Sequence, residues 1–101
     1  MSIIIPIQIY VDDNIIENLK SNLVLKVKDA TDLNENIFLI SENICNCFNN
    51  NVYSSFYGLQ YQIKNTADCL DTYIYMNSYL RRIFNVNIDD EVLCVFFILN
   101  N

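Results

Sequence analysis

The sequence predicts a small α/β domain of the α+β kind, a mixed β-barrel or sheet that carries two short helices. Three observations support this fold class. Apolar residues alternate with other residues in several short segments, as they do in half-buried strands. A strand–helix–strand pattern occurs twice. Hydrophobic residues make up 52% of the 101 residues, which is enough for a core. A chain of this length fits one domain, residues 1–101.

The first strand is predicted at residues 3–11, where every second residue is aliphatic: Ile3, Ile5, Ile7, Ile9 and Val11. Pro6 cannot donate a ladder hydrogen bond, so this strand should lie at an edge or meet a bulge. One helical turn is expected at residues 15–19. A second strand with one solvent-exposed face is expected at residues 23–28, followed by a polar loop at residues 29–36.

A strand–helix–strand unit is predicted twice. In its first copy, Ile37–Ile40 forms a strand, Ser41 caps a short helix at 42–48, and residues 59–63 form the next strand. The Asn-rich run at residues 49–51 ends the helix.

The second copy begins with a strand at Tyr73–Met76, and Asn77 caps the helix that follows. The apolar stripe of this helix is predicted to be Tyr79, Leu80, Ile83 and Phe84. Residues 85–90 make a turn, and residues 91–99 show no polar alternation, which predicts a central strand buried on both faces. Since the chain has one Gly, Asn must supply the left-handed backbone positions.

Residues 74–95 resemble one half of a double-psi β-barrel. They are similar to the segment in the N-terminal domains of type II AAA ATPases and in the ubiquitin-fusion-degradation adaptor. In those families a strand and one or two helical turns precede an aliphatic step, here Val86-Asn87-Ile88, then an acidic turn and a valine-rich strand. Asp89-Asp90 stands where the family has a turn glycine, and one barrel strand is not evident between Lys64 and Thr72.

Residues 37–63 fit the same template more loosely. The resemblance implies a double-psi barrel with a pseudo-twofold, and an adaptor role in the ubiquitin pathway or beside an AAA ATPase. It carries over no binding residue, because the matching positions form the core.

The charge balance disfavours direct nucleic-acid binding. Twelve acidic and six basic side chains give a net charge of −6, which repels phosphate backbones and suits docking on a basic protein surface. The longest apolar run, Val92–Leu99, is too short to cross a bilayer, and the first residues do not resemble a secretory leader. These features predict no membrane association and a cytoplasmic location, in the host cytoplasm if the source is a phage or virus.

Residue types that carry chemistry are scarce. The chain has no His, which removes the commonest general base and imidazole metal ligand. Its four thiols, at Cys45, Cys47, Cys69 and Cys94, are expected to be reduced and structural, with a zinc site as the less favoured alternative. The sequence therefore predicts a protein that is not an enzyme, with no catalytic, cofactor or metal site.

Candidate partner-binding residues fall into an aromatic, an arginine and an acidic group. They are Tyr53, Phe56, Tyr57, Tyr75 and Tyr79; Arg81 and Arg82; and Asp12, Asp13, Asp89, Asp90 and Glu91. Tyr and Arg are enriched at interfaces, although the aromatic rings suit a core equally well. The arginine pair is expected on the exposed face of the second helix. The acidic residues suit a basic partner, and their alternative role is an acid–base or metal site.

Three functions fit these features. The first is a non-catalytic protein-interaction domain, with ubiquitin or an AAA ATPase as partner. The second is a small acidic phage or viral inhibitor of the anti-CRISPR kind, which would occlude the basic nucleic-acid-binding surface of a host effector. The third is a self-associating structural protein, a homo-oligomer in which the isoleucine-rich first strand pairs with its copy in another chain.

Overall fold

The computed structural model describes residues 3–11, 22–30, 37–44, 52–56 and 59–100. Seven strands lie within these ranges: β1 (Ile3–Val11), β2 (Asn22–Asp29), β3 (Ile37–Ser41), β4 (Val52–Phe56), β5 (Leu59–Thr66), β6 (Tyr73–Met76) and β7 (Glu91–Asn100). They form a closed barrel of mixed parallel and antiparallel strands in the order β1-β4-β5-β3-β6-β2-β7.

Two short helical segments accompany the strands within the described ranges. A 3₁₀ turn at Glu42–Ile44 follows β3, and helix α1 (Ser78–Phe84) follows β6. The Ser41 hydroxyl caps the 3₁₀ turn as predicted, accepting a hydrogen bond from the Asn43 N–H at 3.1 Å. The remainder of the helix predicted at 42–48 lies outside the described residues, as does the turn predicted at 15–19.

The described core residues form a cluster of buried apolar side chains inside the barrel. At its centre Phe38, Tyr61 and Phe84 meet edge to face, with ring centroids 5.3 to 6.1 Å apart. The alternation along the strands explains this arrangement. In β2, for example, Leu25 and Val27 are fully buried while their neighbours face outward.

Asparagine delimits α1 at both ends. The Asn77 side chain accepts a hydrogen bond from the Leu80 N–H at 2.9 Å, which confirms the predicted N-cap. Asn85 ends the helix in the left-handed conformation, with φ 56°. Asn therefore takes the position that Gly occupies in most helix C-caps.

The apolar stripe of α1 is narrower than predicted. Leu80 and Phe84 are buried and Ile83 packs partly against the core, but Tyr79 is exposed. The helix has only seven residues, and Leu80 and Phe84, four positions apart, already supply its contact with the barrel.

The predicted double-sided burial of β7 is wrong. The strand is central, since it pairs with β1 on one side and β2 on the other. However, Val92, Cys94 and Phe96 are buried while Leu93 and Val95 are only half-buried. A strand in a barrel wall has one inner and one outer face, and here the outer face remains partly open to solvent.

The sequence pattern does not predict β4, and this strand changes how the repeated units are divided. The ladders among β2 to β7 are unchanged in kind when β3 is exchanged with β6, β2 with β5, and β4 with β7. Strand β1 stands outside this symmetry, because it pairs parallel with β7 but antiparallel with β4. The β2–β6 and β3–β5 ladders are parallel, and the β2–β7 and β4–β5 ladders are antiparallel. The repeating unit is thus strand, strand, helical turn, strand, with β5 opening the second unit instead of closing the first.

Pro6 lies where its missing N–H is tolerated. Strand β1 pairs with β7 over its full length, whereas its described pairing with β4 includes only Gln8 and Ile9. No helix in the described part of the chain is long and apolar enough to span a membrane.

Candidate protein-interaction surface

A row of three apolar side chains crosses the outer surface of the barrel. Ile4 pairs with Leu93 in the β1–β7 ladder, and Leu93 pairs with Val24 in the β2–β7 ladder. Paired residues share a face of the sheet, with their Cβ atoms roughly 5 Å apart. Ile4 is 56% exposed, Val24 is 51% exposed and Leu93 is half-buried. The row therefore faces away from the core.

A second row lies beside the first. Pro6 pairs with Val95, and Val95 pairs with the exposed Asn22. Pro6 and Val95 are both half-buried. Five residues on three adjacent strands thus form the outer apolar patch: Ile4, Pro6, Val24, Leu93 and Val95.

One end of the outer apolar patch has a charged border. Lys26 of β2 pairs with Glu91 of β7, and both side chains are exposed. On its other side Lys26 pairs with Tyr73 of β6. A shallow open depression of about 310 Å³ lies here, lined by Val24, Leu25, Lys26, Thr72, Tyr73 and Glu91. The surface thus combines an apolar strip, a pair of opposite charges and a recess.

Lys28 continues the charged border along β2. Its ammonium lies 2.5 Å from Asp89 Oδ1 and 5.0 Å from the centroid of the Tyr73 ring. The hydrogen bond from Lys28 is the main cause that lowers the pKa of Asp89, and the same bond raises the pKa of Lys28. This ion pair joins the turn at residues 87–90 to β2.

The predicted acidic group is partly engaged within the chain. Asp89 binds Lys28, and the Asp90 carboxylate accepts a hydrogen bond from the Asn87 N–H at 2.8 Å. Backbone bonds of 2.8 Å also join Val27 to both aspartates. Glu91 is exposed at the charged border, whereas Asp12 and Asp13 lie outside the described residues.

Arg81 does not lie on an exposed helix face, so that prediction is wrong. Its Nη1 atom donates to Asp29 Oδ1 and to the Met76 carbonyl, both at 2.6 Å, and its side chain is only 17% exposed. The short helix follows directly after β6, which places Arg81 next to the carboxyl ends of β2 and β6. Arg82 is exposed, as predicted.

Of the predicted aromatic residues, only Tyr75 and Tyr79 have side chains within the described part of the structure, and these two differ in exposure. Tyr75 is half-buried and packs edge to face on Tyr73, with centroids 6.2 Å apart, while Tyr79 is exposed on α1. Tyr53 and Phe56 lie on β4, but their side chains are outside the described part of the structure, as is all of Tyr57.

The two described thiols, Cys69 and Cys94, are buried. Burial raises the pKa of Cys94 to about 12, and burial, followed by the charge of Asp68, raises the pKa of Cys69. Neither thiol is thus activated as a nucleophile. Among the described residues no group of three His, Cys, Asp or Glu side chains could hold a metal ion; Cys45 and Cys47 are outside those ranges.

The outer apolar patch was not predicted from the sequence, although two features of the sequence indicate it. Ile4 interrupts the alternation of β1 with an aliphatic residue on the outer face. In β7, aliphatic residues occupy both the odd-numbered and the even-numbered positions, so both faces of the strand carry them. An unbroken apolar run fits burial on both faces or one buried face and one exposed apolar face. Only the arrangement of the neighbouring elements distinguishes the two.

No family model matches this chain, and neither the curated proteins nor the solved structures contain a match.

Proposed function

We propose that this chain is a non-catalytic protein-binding domain and that the outer apolar patch is its binding surface. The observation that carries the proposal is the exposed row of Ile4, Leu93 and Val24 on three neighbouring strands. Contiguous apolar patches on small soluble domains mark interaction sites more often than single exposed residues do.

A partner that covers the row gains free energy by burying its exposed side chains. Fully burying an aliphatic side chain contributes about 1.5–3 kcal/mol. Ile4 and Val24 each retain about half of their exposure, so together they offer roughly 1.5–3 kcal/mol to a partner. The charged border beside them favours one orientation of the partner, because Lys26 and Glu91 attract opposite charges at matching positions on the partner's surface.

The barrel is proposed to be of the double-psi kind. The exchange of β2, β3 and β4 with β5, β6 and β7 supports it, because each unit then contains one helical turn between its second and third strands. The adaptor role that accompanies this resemblance, with ubiquitin or an AAA ATPase as partner, is one form of the same proposal.

The inhibitor role is less well supported by the geometry. It requires free carboxylates to occupy a basic channel, yet Asp89 is bound to Lys28 and Asp90 to the Asn87 N–H. An apolar partner surface is therefore favoured over a strongly basic one.

The test is affinity capture from a lysate of the source organism with three baits. They are the native chain, the variant Val24→Lys and the matched control Ile88→Lys, which alters an equally exposed aliphatic residue, 47% against 51%, outside the outer apolar patch. We expect at least one captured protein to be retained by the native chain and the control and lost with Val24→Lys. If every captured protein survives Val24→Lys with the fold intact by circular dichroism, the proposed surface is wrong.

A further inference from the structure

We infer that the outer apolar patch binds a second copy of this chain, through a twofold axis that lies outside the barrel surface, parallel to β2 and β7 and above the line midway between them. The inference rests on the proposed function and names its partner. It follows from the registers of the two ladders and from the order of the charges along them.

The twofold axis places unlike residues opposite each other. Val24, Lys26 and Asn22 of β2 pair within the chain with Leu93, Glu91 and Val95 of β7. Rotation by 180° about this axis brings β2 of one copy over β7 of the other. Because the axis is parallel to the strands, residues that are paired within one chain keep the same position along the strand direction. Leu93 then faces the second copy's Val24, and the apolar rows cover each other.

The charged border is complementary to itself under the same operation. Lys26 of each copy lies over Glu91 of the other, so two ion pairs form between the copies. Lys26 and Glu91 form no ion pair with each other among the described residues, although they are neighbours in the ladder. The outer apolar patch and its border are thus neutral, whereas the whole chain carries a net charge of −6.

The recess borders this contact. Strands β6 and β1 flank β2 and β7 and curve away from the axis in the closed barrel. The depression beside Val24 and Tyr73 therefore lies at the margin of the interface. Val24 and Leu93 of the two copies make the reciprocal contact that a twofold interface requires.

Association through the faces also differs from the predicted pairing of β1 with its own copy. The ladder with β7 occupies one edge of β1 from end to end, and on the other edge β4 pairs with Gln8 and Ile9. Pro6 lacks the N–H that a new ladder would need there.

The experiment exchanges the charges between two chains. Lys26→Glu and Glu91→Lys each place like charges opposite each other in the homodimer, so each should raise the dimer dissociation constant at least about tenfold. An equimolar mixture of the two variants restores both ion pairs. We expect the mixture to form heterodimers, measured by native mass spectrometry with one variant ¹⁵N-labelled and by sedimentation equilibrium.

A second pair of variants controls for overall charge. Lys64→Glu and Glu42→Lys are exposed positions away from β2 and β7, and they produce the same net charges of −8 and −4 from the native −6. This mixture should show no preference for heterodimers. A native chain that remains monomeric at millimolar concentration, or equal heterodimer formation in both mixtures, overturns the inference. If the chain is monomeric but Val24→Lys still abolishes capture of another protein, the proposed function stands and this inference alone is wrong.

Discussion

The guanidinium of Arg81 joins α1 to the barrel wall through Asp29, with Nη1 2.6 Å from Asp29 Oδ1. The same atom donates to the Met76 carbonyl at the end of β6. Arg81 thus connects β2, β6 and α1 at one point, beside the helix N-cap at Asn77. Arg81, which the sequence predicts to bind a partner, is a structural residue here.

Replacing Arg81 should therefore lower stability more than replacing its neighbour. Arg81→Ala removes two hydrogen bonds of a charged donor, and since Asp29 is 38% exposed the expected loss is about 1–2 kcal/mol. Arg82→Ala, at an exposed position, should cost less than about 0.5 kcal/mol. Urea unfolding of the two variants measures the difference, and equal losses would contradict the role given to Arg81.

The aromatic cluster should contribute strongly to stability. Phe84 is fully buried against Phe38 and Tyr61, so Phe84→Ala should lower the free energy of unfolding by about 3–5 kcal/mol. Ile88→Ala, at an exposed position, is the control and should change it by less than about 0.5 kcal/mol. A loss at Phe84 as small as at Ile88 would show that the cluster is not part of the core.

The ion pair between Lys28 and Asp89 should be visible in an acid titration. Because Lys28 lowers the folded-state pKa of Asp89 below the ordinary 3.8, the pair stabilises the fold above that value and its contribution is lost as the pH falls through the lowered pKa. Lys28→Met should return the Asp89 pKa toward 3.8, measured by NMR of the side-chain carboxyl carbon. Lys64→Met should leave it unchanged, and an Asp89 titration insensitive to Lys28→Met would exclude the pair.

Cys94 should resist thiol reagents in the folded protein. Burial raises its pKa to about 12, so at pH 8 the reactive thiolate is scarce and the sulfur is covered. We expect peptide mapping after alkylation to show modification of Cys94 in denaturant and almost none without it. Rapid labelling of Cys94 in the folded chain would contradict its place on the inner face of β7.

Much of the fold could be predicted from local patterns. Alternation located β1, β2 and β5, and Asn77 marked the start of α1, because period and capping chemistry are local properties. Strand β4 was missed because Ser54 and Ser55 interrupt its aromatic residues, and its pairing with β1 and β5 depends on distant parts of the chain.

The candidate surface was harder to predict than the fold. The row of Ile4, Leu93 and Val24 joins residues from three separate strands, and only the registers bring them together. Arg81 was misplaced for the opposite reason. Helical periodicity places Arg81 on the side of α1 opposite Ile83 and Phe84. It does not show that Asp29 lies nearby and binds the guanidinium.

The most direct test of the binding surface is methyl NMR of the chain in free and bound form, whether the partner is a second copy at high concentration or a captured protein. The account predicts that shift changes on binding concentrate on the methyl groups of Ile4, Val24 and Leu93, with those of Leu70 and Ile88 unaffected. Changes centred on Leu70, Ile88 or α1, with the outer apolar patch unchanged, would contradict it.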